Sequence, residues 1–218
     1  MLLSFCCVYG RALLRSVHYS TVSRAQVAKV KHKRRKESSL CLCAILATLS
    51  ETIMNRCIIY IMGVSGSGKT TIGEKLASKI RFPFFDADDF HSAANKEKMT
   101  AGIPLTDEDR IGWLTNMNKA AREQSKKAGA VLGCSALKEK YRTILSSGIN
   151  IPVHWVFLQG NYELIKERME KRKDHFMPPG LLSSQFDALE IPANCIKVDI
   201  SKNPDEIVET IIAQIKQI

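Results

Sequence analysis

The stretch IYIMGVSGSGKTT, residues 59–71, decides how this sequence can fold. Its residues 63–70 follow the spacing G-x-x-x-x-G-K-S/T, whose glycines let the backbone wrap closely around an anion. An apolar run at 57–62 predicts a buried parallel strand before this motif, and a helical apolar pattern predicts a helix after it. Inward-facing backbone N–H groups and the helix dipole favour a phosphate group at such a turn. The sequence therefore predicts a loop that binds the phosphates of a nucleotide.

The nucleotide-binding candidates are the residues of this loop and the threonine that follows it. They are Gly63, Val64, Ser65, Gly66, Ser67, Gly68, Lys69, Thr70 and Thr71. Lys69 is expected to reach the β- and γ-phosphates, which makes it a catalytic candidate as well. The hydroxyl group of Thr70 is expected to hold Mg²⁺.

Apolar runs alternate with helical patterns over residues 54–218, which predicts one α/β domain there. The predicted strands are 57–62, 82–86, 130–134, 153–158 and 195–200. The predicted helices are 69–80, 91–99, 107–128, 136–146, 161–172, 178–188 and 204–217. This alternation is typical of a parallel sheet covered by helices on both faces, which binds ligands at the carboxyl ends of its strands.

The segment in front of this domain, residues 1–53, has a different composition. It carries nine basic and two acidic side chains, so +7 of the net charge of +10 lies there. Arg- and Ser-rich, acid-free residues 1–36 are typical of a mitochondrial presequence, whereas their basic run KVKHKRRK could also bind nucleic acid. A disordered leader, or a gene-model extension upstream of Met54, explains the segment equally well. The apolar run at 40–49 is shorter than the roughly 20 residues that a membrane span needs.

Partners and location follow from the same charge distribution. We expect no nucleic-acid partner, because residues 54–218 hold only +3 and lack aromatic stacking platforms. We expect no membrane partner, because the apolar run at 40–49 is too short to be an anchor. The seven cysteines show neither a C-x-x-C pair nor a zinc-binding spacing, and we expect a protein of a reducing compartment without structural disulfides. The expected location is the cytoplasm, or the mitochondrion if residues 1–36 act as a presequence.

Three carboxylates, Asp86, Asp88 and Asp89, follow the second predicted strand in the motif FFDADDFH. One of them can orient Mg²⁺ through water, and a second can accept a proton from a substrate hydroxyl group. The alternative is that one aspartate caps the next helix while the others are merely exposed. We favour Asp88 over Asp89 as the functional residue.

The third predicted strand ends in Cys134 and Ser135, so the metal-binding aspartate of many nucleotide-binding proteins is missing there. Metal coordination is therefore expected to depend on Thr70 and Asp86. Ser135 can cap the following helix, whose first N–H groups can hold an anion.

Cations that could bind an acidic substrate follow in two motifs. Arg110, one turn into the helix predicted in GIPLTDEDRIGWL, can bind a carboxylate or hydroxyl groups, or form a salt bridge within its helix. Lys138 and Arg142 lie four residues apart and, with Ser135, could form an anion pocket, or else a plain basic helix surface.

A further pair of cations, Arg168 and Arg172, precedes a Gly- and Pro-containing loop that carries His175. This arrangement predicts a short lid over the phosphates, with an arginine that stabilises charge in the transition state. The alternative is an ordinary helix C-terminus rich in basic side chains.

These motifs follow one another as in gluconokinases, and residues 57–218 resemble that family. The resemblance depends on GVSGSGKTT, DADDFH, GIPLTDEDRIGWL, CSALKEKYR, KRKDHFMPPGLLSSQFDALE and VDISKNPDEIV. It implies a three-layer P-loop fold of the nucleoside-monophosphate-kinase type, with a five-stranded parallel sheet and a short lid. It also implies a homodimer that uses ATP and Mg²⁺ to phosphorylate D-gluconate to 6-phospho-D-gluconate, in carbohydrate catabolism and the pentose phosphate pathway.

The resemblance implies roles for individual acceptor-side residues. Asp88 is expected to hold and deprotonate the substrate hydroxyl group, and Asp86 to bind the metal through water. Arg110 and the turn at 135–138 are expected beside the substrate carboxylate. The complete substrate-binding set is Asp88, Arg110, Ser135, Lys138, Arg142 and His175.

On the nucleotide side, Arg172 resembles the catalytic arginine that stacks on adenine or reaches the phosphates. Pro204 resembles a residue of the turn at the adenine edge. Two other functions are weaker alternatives: a shikimate-like or nucleotide kinase, and a nucleotide-dependent nucleic-acid-binding protein that uses residues 1–53.

Overall fold

The computed structural model describes residues 55–171 and 179–218. Its strands are β1 (Cys57–Met62), β2 (Phe84–Asp86), β3 (Gly129–Gly133), β4 (Val153–Gln159) and β5 (Ile196–Asp199). All pairings are parallel, in the order β2-β3-β1-β4-β5. The predicted five-stranded parallel sheet is therefore confirmed, and each strand begins and ends within about two residues of its predicted bounds.

Helices alternate with these strands, as the sequence predicts. In the described residues they are α1 (Lys69–Ile80), α2 (Ala93–Thr100), α3 (Asp107–Ser125), α4 (Glu139–Ser146), α5 (Tyr162–Glu170), α6 (Pro179–Asp187) and α7 (Pro204–Ile215). A short 3₁₀ helix, Ala87–Phe90, lies between β2 and α2. None of the helices described over 55–171 and 179–218 is long and apolar enough to cross a membrane.

The central strand β1 is buried along its whole length, because its side chains alternate between two layers of helices. Odd-numbered residues such as Ile59 belong to a core cluster with Leu76 of α1. Even-numbered residues such as Tyr60 belong to a second cluster with Leu114 of α3. The two clusters lie on opposite faces of the sheet and give a three-layer sandwich.

Helix α3 begins where the sequence predicts, because Thr106 and Asp109 form a capping box. The backbone N–H of Asp109 donates to the Thr106 hydroxyl at 3.2 Å, and the backbone N–H of Thr106 donates to the Asp109 carboxylate at 2.9 Å. Two otherwise unpaired N–H groups are satisfied in this way. The cap fixes the orientation of the first turn, which carries Arg110 toward the site.

Gly129, at the start of β3, is expected to tolerate no side chain. Its φ is +118°, and an added Cβ would lie 2.1 Å from the carbonyl oxygen of Cys57. Gly129→Ala is therefore expected to lower the free energy of unfolding by about 3 kcal/mol, through backbone strain and overlap with β1. Urea denaturation of both proteins measures the difference.

Gly112→Ala is the matched control for this substitution. Gly112 lies exposed inside α3, and no atom stands within 4 Å of an added Cβ. This variant is expected to be more stable than the wild type by about 0.5–1 kcal/mol, because alanine favours a helix interior. Equal effects of the two substitutions would contradict the conformation assigned to Gly129.

Candidate active site

The carboxyl ends of the strands open into a cavity of about 1080 Å³. Its wall includes residues 68–71 of the glycine-rich loop, the acidic segment 86–89 after β2 and the turn 135–138 after β3. Residues of α2, α3, α4, α5 and α6 also contribute to the wall. Most of the predicted site residues that the structure describes therefore line one cavity.

The glycine-rich loop runs from the end of β1 to the first turn of α1. Gly66 and Gly68 have φ values of +80° and +96°, which glycine adopts without strain. Gly68 is the N-cap of α1 and provides no side-chain cap, so N–H groups of the first turn are left for an anion. The Lys69 ammonium group turns back and donates to the Val64 carbonyl oxygen at 3.1 Å. Three predicted loop residues do not line the cavity: Gly63, Val64 and Ser67.

Thr70 and Asp86, the two predicted metal ligands, meet at the cavity wall. The Thr70 hydroxyl group donates to Asp86 Oδ2 at 2.7 Å. Asp86 Oδ1 accepts from the backbone N–H of Asp88 at 3.1 Å and caps the 3₁₀ helix. Asp86 therefore combines the capping role with a carboxylate oxygen placed beside Thr70. A hydroxyl and a carboxylate oxygen are ligands that Mg²⁺ accepts.

Asp88 and Asp89 are both exposed, and both line the cavity from the 3₁₀ helix. Either side chain is thus accessible to an acceptor. The choice of Asp88 over Asp89 as the base stays a prediction.

His91 lies beside these carboxylates and was not among the predicted site residues. Its ring lies 4.5 Å from the Trp113 ring, between centroids, and both residues line the cavity. Burial, the largest effect, lowers the pKa of His91 below its ordinary value, although the charge of Asp88 opposes this shift. The imidazole is therefore neutral in the folded protein at neutral pH.

This lowered pKa predicts the direction of a pH effect on stability. The unfolded state binds more protons at His91 than the folded state, so its contribution is complete above about pH 6.5 and is lost as the pH falls. Between pH 7 and pH 5 the wild type is expected to lose more stability than His91→Asn. Urea denaturation at both pH values measures this. Burial also lowers the pKa of His154, which is present in both proteins. The stability of His91→Asn is therefore expected to keep some dependence on pH. Equal losses of stability in the wild type and in His91→Asn between these pH values would contradict the burial of His91.

A cluster of cations forms another part of the wall. Arg110 donates to the carbonyl oxygen of Thr106 at 3.0 Å, and its guanidinium carbon lies 5.6 Å from the centre of the Tyr141 ring. The Lys138 ammonium group lies 5.9 Å from the same centre. The predicted alternative of an intrahelical salt bridge for Arg110 is absent from the ion pairs within the described residues. Arg110, Lys138 and Tyr141 all line the cavity.

Asp107 holds this cluster together from the first turn of α3. It accepts short hydrogen bonds from Lys140 and from the Tyr141 hydroxyl group, and its carboxylate lies 3.7 Å from the Lys138 ammonium group. The bonds from Lys140 and Tyr141 lower the pKa of Asp107 to about 2. Asp107 therefore stays charged at neutral pH and orients Tyr141 and Lys138.

The turn at 135–138 corrects two predictions. Ser135 does not cap α4, since the helix begins at Glu139 and its N-cap is Lys138, without a side-chain cap bond. Arg142, predicted at a substrate pocket or on a basic helix surface, is instead buried and lies outside the cavity lining. Its guanidinium group donates to the carbonyl oxygens of Ala136 at 2.9 Å and Leu137 at 3.2 Å. Arg142 therefore supports the turn, while Ser135 and Lys138 line the cavity.

Other predicted residues lie elsewhere. Pro204 occupies the first turn of α7, capped by Asn203, and does not line this cavity. Arg168 donates to the Ile200 carbonyl oxygen at 2.6 Å and anchors α5 to the end of β5. Arg172 and His175, with the predicted lid, lie outside the described residues.

Comparison with known proteins identifies a matching family model and several relatives of this chain. The family model described as shikimate kinase matches residues 65–216. The probable gluconokinase of Dictyostelium discoideum is 48% identical over an alignment of 172 residues, which covers 73% of this chain and 86% of that protein. The thermosensitive gluconokinase of Escherichia coli K12 is 46% identical over an alignment of 155 residues, which covers 68% of this chain and 82% of that protein.

A solved structure agrees with these sequence matches. The gluconokinase from Sinorhizobium meliloti 1021 has a TM-score of 0.68 and 38% identity, and the match covers 74% of this chain and 93% of that one. This chain belongs to the gluconokinase family of P-loop kinases.

Proposed function

We propose that this kinase transfers the γ-phosphoryl group of ATP to the 6-hydroxyl group of D-gluconate, giving ADP and 6-phospho-D-gluconate. The observation that supports this most is that a phosphate-binding loop, exposed aspartates and the cations Arg110 and Lys138 line one cavity. The loop can bind the phosphates of the nucleotide, and an aspartate can act as the base for the substrate hydroxyl group. The two cations can bind the carboxylate of the substrate. The relatives named above carry the name gluconokinase.

Each of these groups has a separate task in phosphoryl transfer, which depends mainly on positioning and charge stabilisation. The loop N–H groups hold the phosphates, and Lys69 stabilises the charge that develops on the transferred group. Asp88 accepts the proton of the 6-hydroxyl group as its oxygen attacks the γ-phosphorus. The bond between the γ-phosphorus and the bridging oxygen breaks, and ADP leaves.

Thr70 and Asp86 are the residues proposed to hold Mg²⁺. Their two oxygens fit this ion, which is usually bound through one or two protein oxygens together with substrate phosphates and water. Across the described part of the chain, no group of three or more His, Cys, Asp or Glu side chains could hold a metal without such help. When bound, Mg²⁺ neutralises charge on the β- and γ-phosphates.

The acceptor is proposed to bind with its carboxylate at Arg110 and Lys138 and with Ser135 as a hydrogen-bond partner. Three roles are supported by the family resemblance alone. They are the reach of Arg172 to adenine or the phosphates, the contact of Pro204 with the adenine edge, and the approach of His175 to the substrate.

The test is ADP release by the purified full chain with Mg²⁺ and ATP. The acceptors are gluconate, shikimate, AMP and none. Shikimate is included because the matching family model carries that name. We expect turnover with gluconate alone. Turnover with shikimate or AMP instead would keep the phosphate-binding loop and contradict the proposed acceptor.

Assembly and location are proposed with the activity. A homodimer is expected to show twice the mass of one chain in multi-angle light scattering, and a monomer would contradict it. A cytoplasmic location is expected for a fluorescent fusion of the full chain. Accumulation in mitochondria would instead favour a presequence at 1–36.

A further inference from the structure

Two side chains at the end of α6 contact two different walls of the cavity. Gln185 lies in the last turns of α6, and Glu190 lies shortly after the helix ends at Asp187. Gln185 bonds to the glycine-rich loop, whereas Glu190 bonds to the turn at 135–138 and the start of α4. Residues 185–190 thus connect the nucleotide side of the cavity with the acceptor side.

The contact with the loop is reciprocal. The backbone N–H of Ser65 donates to Gln185 Oε1 at 2.7 Å, and Gln185 Nε2 donates to the Ser65 hydroxyl oxygen at 3.1 Å. Both residues line the cavity and are half-buried. One amide side chain therefore fixes both the backbone and the side chain of the residue that precedes Gly66, where the loop turns into its left-handed conformation.

The contact with the acceptor side is equally direct. The backbone N–H of Glu190 donates to the Leu137 carbonyl oxygen at 2.8 Å. The Glu190 carboxylate accepts from the backbone N–H of Glu139 at 2.6 Å. Because Lys138 provides no side-chain cap, Glu190 performs that task from a distant part of the chain.

The turn that Glu190 holds is strained. Ala136 has a φ of +42°, a conformation that non-glycine residues rarely adopt and that persists only where its surroundings impose it. Arg142 supports the carbonyl oxygens of Ala136 and Leu137 from inside, and Glu190 supports the turn from the other side. All four residues of this turn, 135–138, line the cavity.

We propose that Gln185 and Glu190 are positioning residues that together form a brace, in which Gln185 fixes the phosphate-binding loop and Glu190 fixes the acceptor-binding turn. The assignment of the two sides to ATP and gluconate depends on the proposed function. Neither side chain takes part in bond making. Each acts through the backbone that it holds, Gln185 through Ser65 and Glu190 through the turn at 135–138.

Separate effects on the two substrates follow from this geometry. Gln185→Leu is expected to raise the KM for ATP about tenfold, the scale of one or two lost hydrogen bonds, and to change the KM for gluconate by less than about twofold. Glu190→Ala is expected to raise the KM for gluconate about tenfold and to change the KM for ATP by less than about twofold. Glu190→Gln keeps an oxygen that can accept from Glu139, and it is expected to restore the wild-type KM for gluconate.

The matched control is Asp187→Asn, an exposed side chain on the same helix that does not line the cavity. It is expected to change neither KM. If Gln185→Leu and Glu190→Ala raise both KM values equally, or if they lower only the melting temperature, the brace is refuted and the contacts are merely structural.

Two measurements need no acceptor substrate, so they test the brace whether or not gluconate is the substrate. They are the dissociation constant of ATP and the hydrogen exchange of single backbone N–H groups. Gln185→Leu is expected to weaken ATP binding about tenfold and to expose the Ser65 N–H to exchange, and Glu190→Ala to expose the Glu139 N–H. Unchanged protection in these variants would overturn the brace even if gluconate is the substrate.

Failure of wild-type turnover with gluconate would refute the proposed function but leave these exchange results to judge the brace. If Gln185→Leu does not fold, Gln185→Glu replaces it in the exchange experiment. Its carboxylate oxygen can still accept from Ser65, so protection of the Ser65 N–H is expected to persist. Loss of that protection in folded Gln185→Glu would overturn the brace.

Discussion

Replacing Lys69 with alanine is expected to lower kcat about a thousandfold and to leave the fold intact. Lys69 begins α1 directly after Gly68, and its ammonium group lies over the loop, 3.1 Å from the Val64 carbonyl oxygen. A cation fixed there stabilises the charge that develops on the transferred phosphoryl group. Such electrostatic stabilisation is usually among the largest single contributions to the rate of a reaction of this kind. Steady-state ADP release measures kcat, and circular dichroism with thermal unfolding measures the fold.

Lys75→Ala is the matched control, since Lys75 lies on the same helix but away from the cavity. Its ammonium group pairs with Asp205 at 2.6 Å on the exposed surface between α1 and α7. Exposed ion pairs contribute little to stability, so kcat is expected to stay within about twofold of the wild type. Turnover retained in Lys69→Ala would refute the role of the loop in catalysis.

The fold could be predicted because its signals are local. Alternating apolar runs and helical patterns give the strands and helices, and the glycine spacing gives the turn between β1 and α1. The meeting of Thr70 with Asp86 could also be anticipated, because the carboxyl ends of parallel strands share one edge of the sheet. Neither prediction needs a contact between side chains to be known in advance.

The turn at 135–138 could not be predicted in the same way. Helical spacing placed Arg142 on a surface beside Lys138, whereas the positive φ of Ala136 delays the helix and lets Arg142 fold back onto the turn. The contacts of Gln185 and Glu190 join residues separated by 120 and 51 positions, and no local pattern encodes such pairs. The motif that contains both residues indicated a family but gave no reason for them.

Two neighbouring aspartates are candidates for the base that accepts the proton of the substrate hydroxyl group. Asp88 and Asp89 lie on one short 3₁₀ helix, and both are exposed to the cavity. Asp88 alone is adjacent to the Asp86 cap through its backbone N–H, which donates to Asp86 at 3.1 Å. That bond fixes the backbone of Asp88 beside the proposed metal site, where the hydroxyl group and the γ-phosphate must meet.

Asp88→Asn is therefore expected to lower kcat about a hundredfold or more, because asparagine cannot accept the proton of the attacking hydroxyl group. The dissociation constant of ATP is expected to stay within about twofold, since Asp88 is not proposed to hold the nucleotide or the metal. Asp89→Asn, the same change one residue along the helix, is expected to retain most of the turnover. A larger loss of kcat in Asp89→Asn would assign the base to Asp89. Weakened ATP binding in Asp88→Asn would place Asp88 with Thr70 and Asp86 at the metal.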